Sequence, residues 1–297
     1  HLFMALDISH TVKTLAKKAK ITARAQQLHP LRSSKTPAAD ADTILIWRGP
    51  GALTSSLNIE LLLATALQER GARIIFFLCD GTSKGCVVRT IADMPKVDDW
   101  AKACATCHFN GRKMIETLGF DYYSTGDLLS ETKIAELRQL SQNVPLDEVK
   151  DFSYNEQAAG LHALASTIRF FKGVETEAGD PYYERVVREY LFTVLVNIEA
   201  AAVVRERFSF DRLLIQHGIY ADWAPFFEVM LEAGYPIIRW MRSDLKNHLY
   251  LRTDRKGDSY HIYYPPQNDM QDRLQQKIKE KQEAELDAFF QSQISGD

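Results

Sequence analysis

The sequence contains no apolar run approaching the roughly 18 residues that a membrane-spanning helix needs. Its first residues also lack the apolar core of a secretory signal. Acidic and basic residues nearly balance, with a formal net charge of -3, so bulk charge argues against nucleic-acid binding. Four cysteines in 297 residues are too few for a disulfide scaffold. These absences predict a cytoplasmic protein whose thiols are reduced or metal-bound.

Two common phosphate-binding motifs are also missing. Neither the dinucleotide fingerprint G-x-G-x-x-G nor the P-loop pattern G-x-x-x-x-G-K-[ST] occurs after a predicted strand. This absence argues against a nicotinamide-dependent oxidoreductase.

Positive charge is concentrated at the N-terminus. Residues 1–39 carry seven lysines and arginines against one acid, Asp7, and part of this segment has helical spacing of apolar residues. We expect residues 1–40 to form a basic helical arm followed by a linker. A solvated surface helix is the simplest interpretation. The alternative is a weak contact with a partner or with an anionic membrane surface, at the inner face of the membrane.

Short apolar runs alternate with helical patterns over most of the remaining chain. This alternation predicts a doubly wound α/β domain over 41–266, with a mainly parallel, Rossmann-like sheet and helices on both faces. The expected strands cover 43–47, 73–78, 120–123, 212–216, 236–240 and 248–252. The expected helices cover 58–70, 100–118, 132–140, 153–171, 182–207 and 223–233, with Asn58 capping the first. A polar helix near 270–290 is expected within 267–297.

All four cysteines lie within 29 residues, directly after the second predicted strand: Cys79, Cys86, Cys104 and Cys107. The C-x-x-C spacing of the last two fits half of a thiolate zinc site, whereas the spacing of the first two is wider than usual. Three interpretations stay open at this point: a metal site such as zinc, thiols that pack in the core, and disulfide chemistry.

The glycine-bearing loop after the first strand precedes a helix N-terminus, where free N–H groups favour an anion. We expect it to line a ligand crevice, although an ordinary connecting loop is the alternative. The candidate binding residues in it are Arg48, Gly49, Gly51, Thr54 and Ser55.

The segment after the fourth strand holds the best single catalytic candidate, His217, at the carboxyl end of a strand and before Gly218. A histidine there could act as a general base. The alternative is a structural histidine that is hydrogen-bonded to a neighbouring loop carbonyl. Asp80 follows the second strand in the same way and could orient a sugar hydroxyl or a base. The alternative is that it caps a helix or a turn.

Gly218 and three further residues of that segment are acceptor-binding candidates. Tyr220 belongs to the turn itself. Asp222 is most simply the N-cap of the next helix. Trp223 could stack on a sugar ring, although core packing is the more common role of such a tryptophan.

Three segments together resemble a known family: Cys79-Asp80-Gly81, Cys104-x-x-Cys107-x3-Gly111 and Gln216-His217-Gly218-Ile219-Tyr220. They resemble the N-terminal half of GT-B-type glycosyltransferases of bacterial capsule and O-antigen clusters. The resemblance implies an acceptor site for a glycan or lipid-linked sugar. It also implies metal-independent transfer from a nucleotide-sugar, with His217 as the base and Asp80 as the second catalytic residue. Zinc would then be structural only.

The chain departs from that family after Pro266, where the sequence is too short and polar for a second, nucleotide-sugar-binding domain. We therefore expect the nucleotide-sugar to be held by a missing domain or a partner chain, and turnover by this chain alone to be poor. The alternative is a non-catalytic Rossmann-like binding or scaffold subunit with a structural thiolate metal site.

Overall fold

The computed structural model describes residues 8–51, 53–174, 179–243 and 248–257. The described residues up to Lys256 belong to one compact unit, which contains the described part of the predicted arm and most of the predicted domain. The second unit, Gly257–Asp297, is described only at Gly257. The predicted polar helix near 270–290 lies outside the described residues.

The core of this unit is a six-stranded sheet with the order β3-β2-β1-β4-β5-β6. The first five strands are parallel, and β6 is antiparallel to β5. The strands are β1 (Thr43–Arg48), β2 (Arg73–Leu78), β3 (Asp121–Ser124), β4 (Arg212–Gln216), β5 (Ile237–Arg242) and β6 (Leu249–Asp254). The prediction of an α/β fold with a mainly parallel sheet is confirmed.

Helix α1 precedes the first strand, and the other helices lie between strands: α1 (Ile8–Leu28), α2 (Thr54–Glu69), α3 (Val88–Ile91), α4 (Trp100–Leu118), α5 (Thr125–Leu128), α6 (Glu131–Asn143), α7 (Ala159–Phe170), α8 (Pro181–Arg207) and α9 (Ala224–Glu232). Among these described helices, none combines the length and the apolarity that crossing a membrane requires.

Alternate residues of β1 belong to two different core clusters. Leu45 and Trp47 pack in the cluster that includes α8 and α9, whereas Ile44 and Ile46 pack in the cluster that includes α2 and α4. This alternation follows from the pleat of a strand, whose successive side chains point to opposite faces. Because both faces are buried, the strands read as continuous apolar runs in the sequence.

Several predicted element boundaries were wrong. Helix α2 begins at Thr54, so Asn58 lies inside the helix and is not its N-cap. Residues 153–158 are not helical. There, Tyr154 and Gln157 form an isolated bridge across a tight turn whose two central residues have positive φ. The two four-residue helices α3 and α5 were missed, because elements this short carry no recognisable periodicity.

The basic N-terminal segment is not a freestanding arm. Helix α1 packs against α4, Ala25 is fully buried, and the Lys18 ammonium lies 5.2 Å from the centroid of the Phe109 ring. Lys17 and Lys20 remain exposed to solvent. The helix is thus a packed part of the unit with some of its lysines facing outward.

Candidate functional site

The strand order reverses between β1 and β4, and at that point the loops following the two strands diverge. Ligands of open α/β sheets bind in the crevice at such a switch point, beyond the carboxyl ends of the strands. A small cavity of about 20 Å³ lies here, with room for about one water molecule. Its lining includes Gly49, Cys79, Cys86, Thr125, Asn197 and Asp222.

A buried arginine fixes the loop after β1. The Arg48 guanidinium forms a 2.8 Å ion pair with Glu60, and both side chains are fully buried. Its second terminal nitrogen donates to the carbonyl oxygens of Pro50 (3.0 Å) and Leu53 (2.8 Å). Burial raises the pKa of Glu60, while Arg48 opposes that rise. The predicted binding residue Arg48 therefore borders the cavity, but its hydrogen bonds hold the protein's own loop.

A second buried arginine holds the turn after β4 in a similar way. Arg239 forms a bidentate ion pair with Asp254, with both nitrogen–oxygen distances at 2.6 Å. It lies over the Phe227 ring and donates to the carbonyl oxygen of His217 at 3.4 Å. Each loop at the switch point is thus tied to the sheet by an arginine whose charge a buried carboxylate neutralises.

The turn held by Arg239 is strained. His217 and Tyr220 have positive φ angles of 29° and 66°, which side-chain-bearing residues rarely adopt. Gly218, between them, has a φ of 65°, and a Cβ atom there would lie 3.0 Å from the Phe227 ring. Strained backbone of this kind concentrates at functional sites.

One ring nitrogen of His217 is engaged in a hydrogen bond within its own turn. Its Nδ1 accepts a hydrogen bond from the Ile219 N–H at 3.1 Å, and the ring packs edge-on against Trp223. Burial, assisted by the charges of Arg169 and Arg239, lowers the pKa of His217 to about 3. The neutral ring therefore carries its proton on Nε2, where it can donate. The ring thus accepts from a backbone N–H of its own turn, whereas the structural alternative had it hydrogen-bonded to a loop carbonyl; the general-base role of His217 stays a prediction.

Asp222 does not cap the following helix, so that prediction was wrong. The N-cap of α9 is Trp223, and the Asp222 carboxylate instead accepts the N–H of Val87 at 2.8 Å. Burial raises the pKa of Asp222 to about 7, although the Val87 N–H and the charges of Arg89, Arg48 and Arg169 oppose the rise. Within the described parts of the chain, no hydrogen bond reaches the Oδ1 atom. A carboxylate of near-neutral pKa is suited to accepting a proton.

The second catalytic candidate, Asp80, is engaged in local structure. Its Oδ1 accepts from the N–H and hydroxyl of Thr82 at 3.0 and 2.7 Å, and its Oδ2 accepts from the N–H of Gly126 at 2.7 Å. These contacts join the loop after β2 to the start of α5. They are the contacts of a turn and a helix cap, and a catalytic role for Asp80 stays a prediction.

The remaining candidates divide between the crevice and the core. Thr54 and Ser55 begin α2, and the Tyr220 hydroxyl accepts from Arg169 at 2.8 Å. Trp223 is 1% exposed, so in this conformation it packs in the core and cannot stack on a sugar. Gly49 lies against Asp222, where a Cβ atom would approach the aspartate Cβ at 3.3 Å.

Gly51 has a packing role. A Cβ atom there would lie 2.5 Å from the Cys107 carbonyl oxygen and 2.9 Å from Gly111, both in the backbone of α4. We expect Gly51→Ala to lower the free energy of unfolding by about 1–3 kcal/mol, because helix backbone cannot move aside. Urea unfolding measures the change, with the exposed Lys102→Ala in the same helix as a control. A G51A protein as stable as the wild type would contradict this close contact.

None of the four cysteine sulfurs forms a disulfide bond. Among the described residues, no three histidine, cysteine, aspartate or glutamate side chains are arranged to hold a metal ion. Burial raises the pKa of Cys79 and raises that of Cys86 well above its usual range, so both are neutral thiols. The zinc site stays a prediction without geometric support.

The sequence reasoning missed Glu60, Arg239 and Asp254, which position the two loops. A signal for Arg239 was available, because it is a charged residue inside the apolar run Ile237–Arg242. A charge buried in a strand requires a partner. Its partner, Asp254, is 15 residues away, on the neighbouring antiparallel strand.

Comparisons of the chain with protein-family models, curated proteins and solved structures found no match.

Proposed function

We propose that the chain is the acceptor-binding half of a GT-B-type glycosyltransferase that acts in surface-polysaccharide synthesis, built as a doubly wound Rossmann-like domain. The observation that carries the proposal is the strained His217–Tyr220 turn beside the β1 loop at the switch point. This is where open α/β domains bind their ligands. The resemblance of the same turn and of the cysteine segments to such enzymes supports the choice of reaction.

In this proposal the acceptor sugar binds over the two loops and a single hydroxyl group reaches the small cavity between them. The cavity has space for little more than that group. Gly49 supports close approach, because it leaves the Oδ1 side of Asp222 without a bulky neighbour. The nucleotide-sugar is held by another domain or a partner chain.

Asp222 is better suited than His217 to take the proton from the acceptor hydroxyl. Its Oδ1 receives no hydrogen bond from the described residues, whereas the Nδ1 atom of His217 already accepts one. As the proton moves to Asp222, the acceptor oxygen bonds to the anomeric carbon and the bond to the nucleoside diphosphate breaks. His217 donates from Nε2 and orients the acceptor. Positioning of this kind supplies much of the rate in two-substrate reactions.

The test is made with the native protein in its own host, in strains carrying Asp222→Asn or His217→Ala. We expect Asp222→Asn to reduce synthesis of the surface polysaccharide about 100-fold or more, as loss of a general base does. We expect a smaller loss for His217→Ala, which removes a positioning group. Extracted polysaccharide is quantified by sugar analysis, with Asp98→Asn, a change in an exposed ion pair, as the control.

Wild-type polysaccharide levels in both strains would overturn the glycosyltransferase proposal. That result would favour the scaffold interpretation, which the tight hydrogen bonding of both loops also supports. A loss confined to His217→Ala would retain glycosyl transfer but move the base back to the histidine.

A further inference from the structure

Helix α7 buries its small side chains and exposes its large ones. It packs on α8, and the residues that it buries are Ala159, Gly160, Ala163, Ser166 and Thr167. On the opposite side of the helix, Leu161 is 50% exposed and Ile168 is 58% exposed, and Ala165 between them is exposed as well. A surface helix normally has the reverse pattern, with its large apolar residues in the core. The outward face of α7 therefore has the composition of a face that another molecule covers.

Across the residues of α7, all of which the structure describes, no charged side chain interrupts this face. The ionisable residues of the helix are His162 and Arg169, and the protein itself engages both. His162 lies 2.6 Å from Glu228 of α9, and Arg169 donates to the Tyr220 hydroxyl at 2.8 Å. Just beyond the helix, Val174 adds another exposed apolar side chain. Continuous exposed apolar surface of this kind marks an interaction site in a soluble protein.

We propose that this face, formed by Leu161, Ala165 and Ile168, is a dimer interface on which α7 of a second copy packs antiparallel about a two-fold axis. The three residues are separated by four and then three positions, which is the spacing of a helix–helix seam. About the two-fold axis, Leu161 of each copy meets Ile168 of the other. Ala165 lies near the axis, where its short side chain lets the two helices approach closely. The face is therefore complementary to itself.

The charges at the two ends of α7 favour a second copy in this orientation. Glu156 precedes the helix and Lys172 follows it, and both are exposed, with Lys172 only 3.5 Å from the exposed Asp93. When Leu161 is level with Ile168 of the second copy, Glu156 lies near Lys172 of the second copy. The two-fold axis repeats this pair on the other side. A parallel arrangement would instead bring like charges together, so charge complementarity fixes the direction of the pairing.

The size of the face predicts a reversible dimer. Helix α7 has 12 residues, so it is about 18 Å long, and one helix pair buries less than the roughly 800 Å² per partner of a standard interface. We therefore expect a dissociation constant of about 1–100 μM. The inner face of α7 holds the strained turn, since Ser166 accepts from the Ala221 N–H at 2.8 Å. The interface thus lies on the opposite face of α7 from that turn, and the proposal does not depend on the proposed glycosyl transfer.

The first test is sedimentation velocity of the wild-type chain over about 1–100 μM, where we expect the dimer fraction to rise with concentration. Ile168→Asp should weaken association about 100-fold or more, because each dimer would then bury two aspartates. The matched control is Leu62→Asp, which changes a similarly exposed side chain on α2 and should leave association unchanged. A wild type that is monomeric throughout, or a dimer that Ile168→Asp leaves intact, would overturn the proposal.

The second test examines the orientation with two charge reversals at exposed positions. Lys172→Glu and Glu156→Lys should each weaken the dimer about tenfold at low salt, because two attractive pairs become repulsive. The double variant exchanges the two charges and should recover most of the affinity. A double variant no stronger than the single ones would contradict the antiparallel pairing. A stable complex of this face with a different protein, without self-association, would also contradict it.

Discussion

Replacing Glu60 with glutamine will lower the free energy of unfolding by about 3–5 kcal/mol, the usual effect of removing one partner from a buried ion pair. Glutamine has nearly the same volume as glutamate, so no cavity forms and the loss comes from charge alone. The Arg48 guanidinium, fully buried beside Glu60, would be left without a counter-charge. The same guanidinium donates hydrogen bonds to the Pro50 and Leu53 carbonyl oxygens in the loop after β1, so this loop should become more mobile as well.

Urea unfolding followed by tryptophan fluorescence measures this change. The matched control is Glu136→Gln, which removes a carboxylate of the same type from an exposed helical pair and should change stability by less than about 1 kcal/mol. The double variant Arg48→Met with Glu60→Leu leaves no charge unpaired, but it removes the partners of the Pro50 and Leu53 carbonyl oxygens and of the Trp240 indole N–H, so we expect it to recover only part of the loss. If the single variant unfolds within about 1 kcal/mol of the wild type, the pair does not have the stabilising role assigned to it here.

Much of the fold could be predicted because burial determines the sequence pattern. Strands β2 and β4 and helix α4 begin and end where their apolar runs predict, since both faces of the sheet and one face of the helix are covered. The hydrophobic pattern failed where a local backbone turn determines the structure. The segment around Asn155 was predicted as helix, yet Asn155 and Glu156 have positive φ angles and Tyr154 and Gln157 form an isolated bridge there.

The candidate site could be predicted in position but not in chemistry. The glycines and the histidine at the ends of β1 and β4 mark the switch point correctly. The partner of Asp222 is the N–H of Val87, 135 residues away, and local rules assigned that aspartate to the nearest helix instead. The neutral state of His217 depends in the same way on its burial and on Arg169 and Arg239, all of which arise only in the folded chain.

The stability of the protein will fall by on the order of 2–4 kcal/mol between about pH 5 and pH 8 because of Asp222 alone. Burial raises the pKa of this carboxyl to about 7 in the folded protein, against 3.8 ordinarily. Between these values the folded chain holds a proton that the unfolded chain has released, so rising pH favours unfolding until it passes the folded pKa. Asp222→Asn removes the titrating proton but retains an oxygen that can accept from Val87.

The experiment compares the free energy of unfolding of the wild type and Asp222→Asn at about pH 5 and about pH 8. We expect the free energy of unfolding of Asp222→Asn to increase relative to that of the wild type as pH rises. The control is Asp98→Asn, whose difference from the wild type should be the same at both pH values: hydrogen bonding to Arg185 lowers the pKa of Asp98 below 3.8, so its contribution is fully present across this range and is lost only in stronger acid. An Asp222→Asn difference that is the same at both pH values would mean that Asp222 is ionised throughout, and it would then have no proton-accepting advantage near neutral pH over any exposed carboxylate.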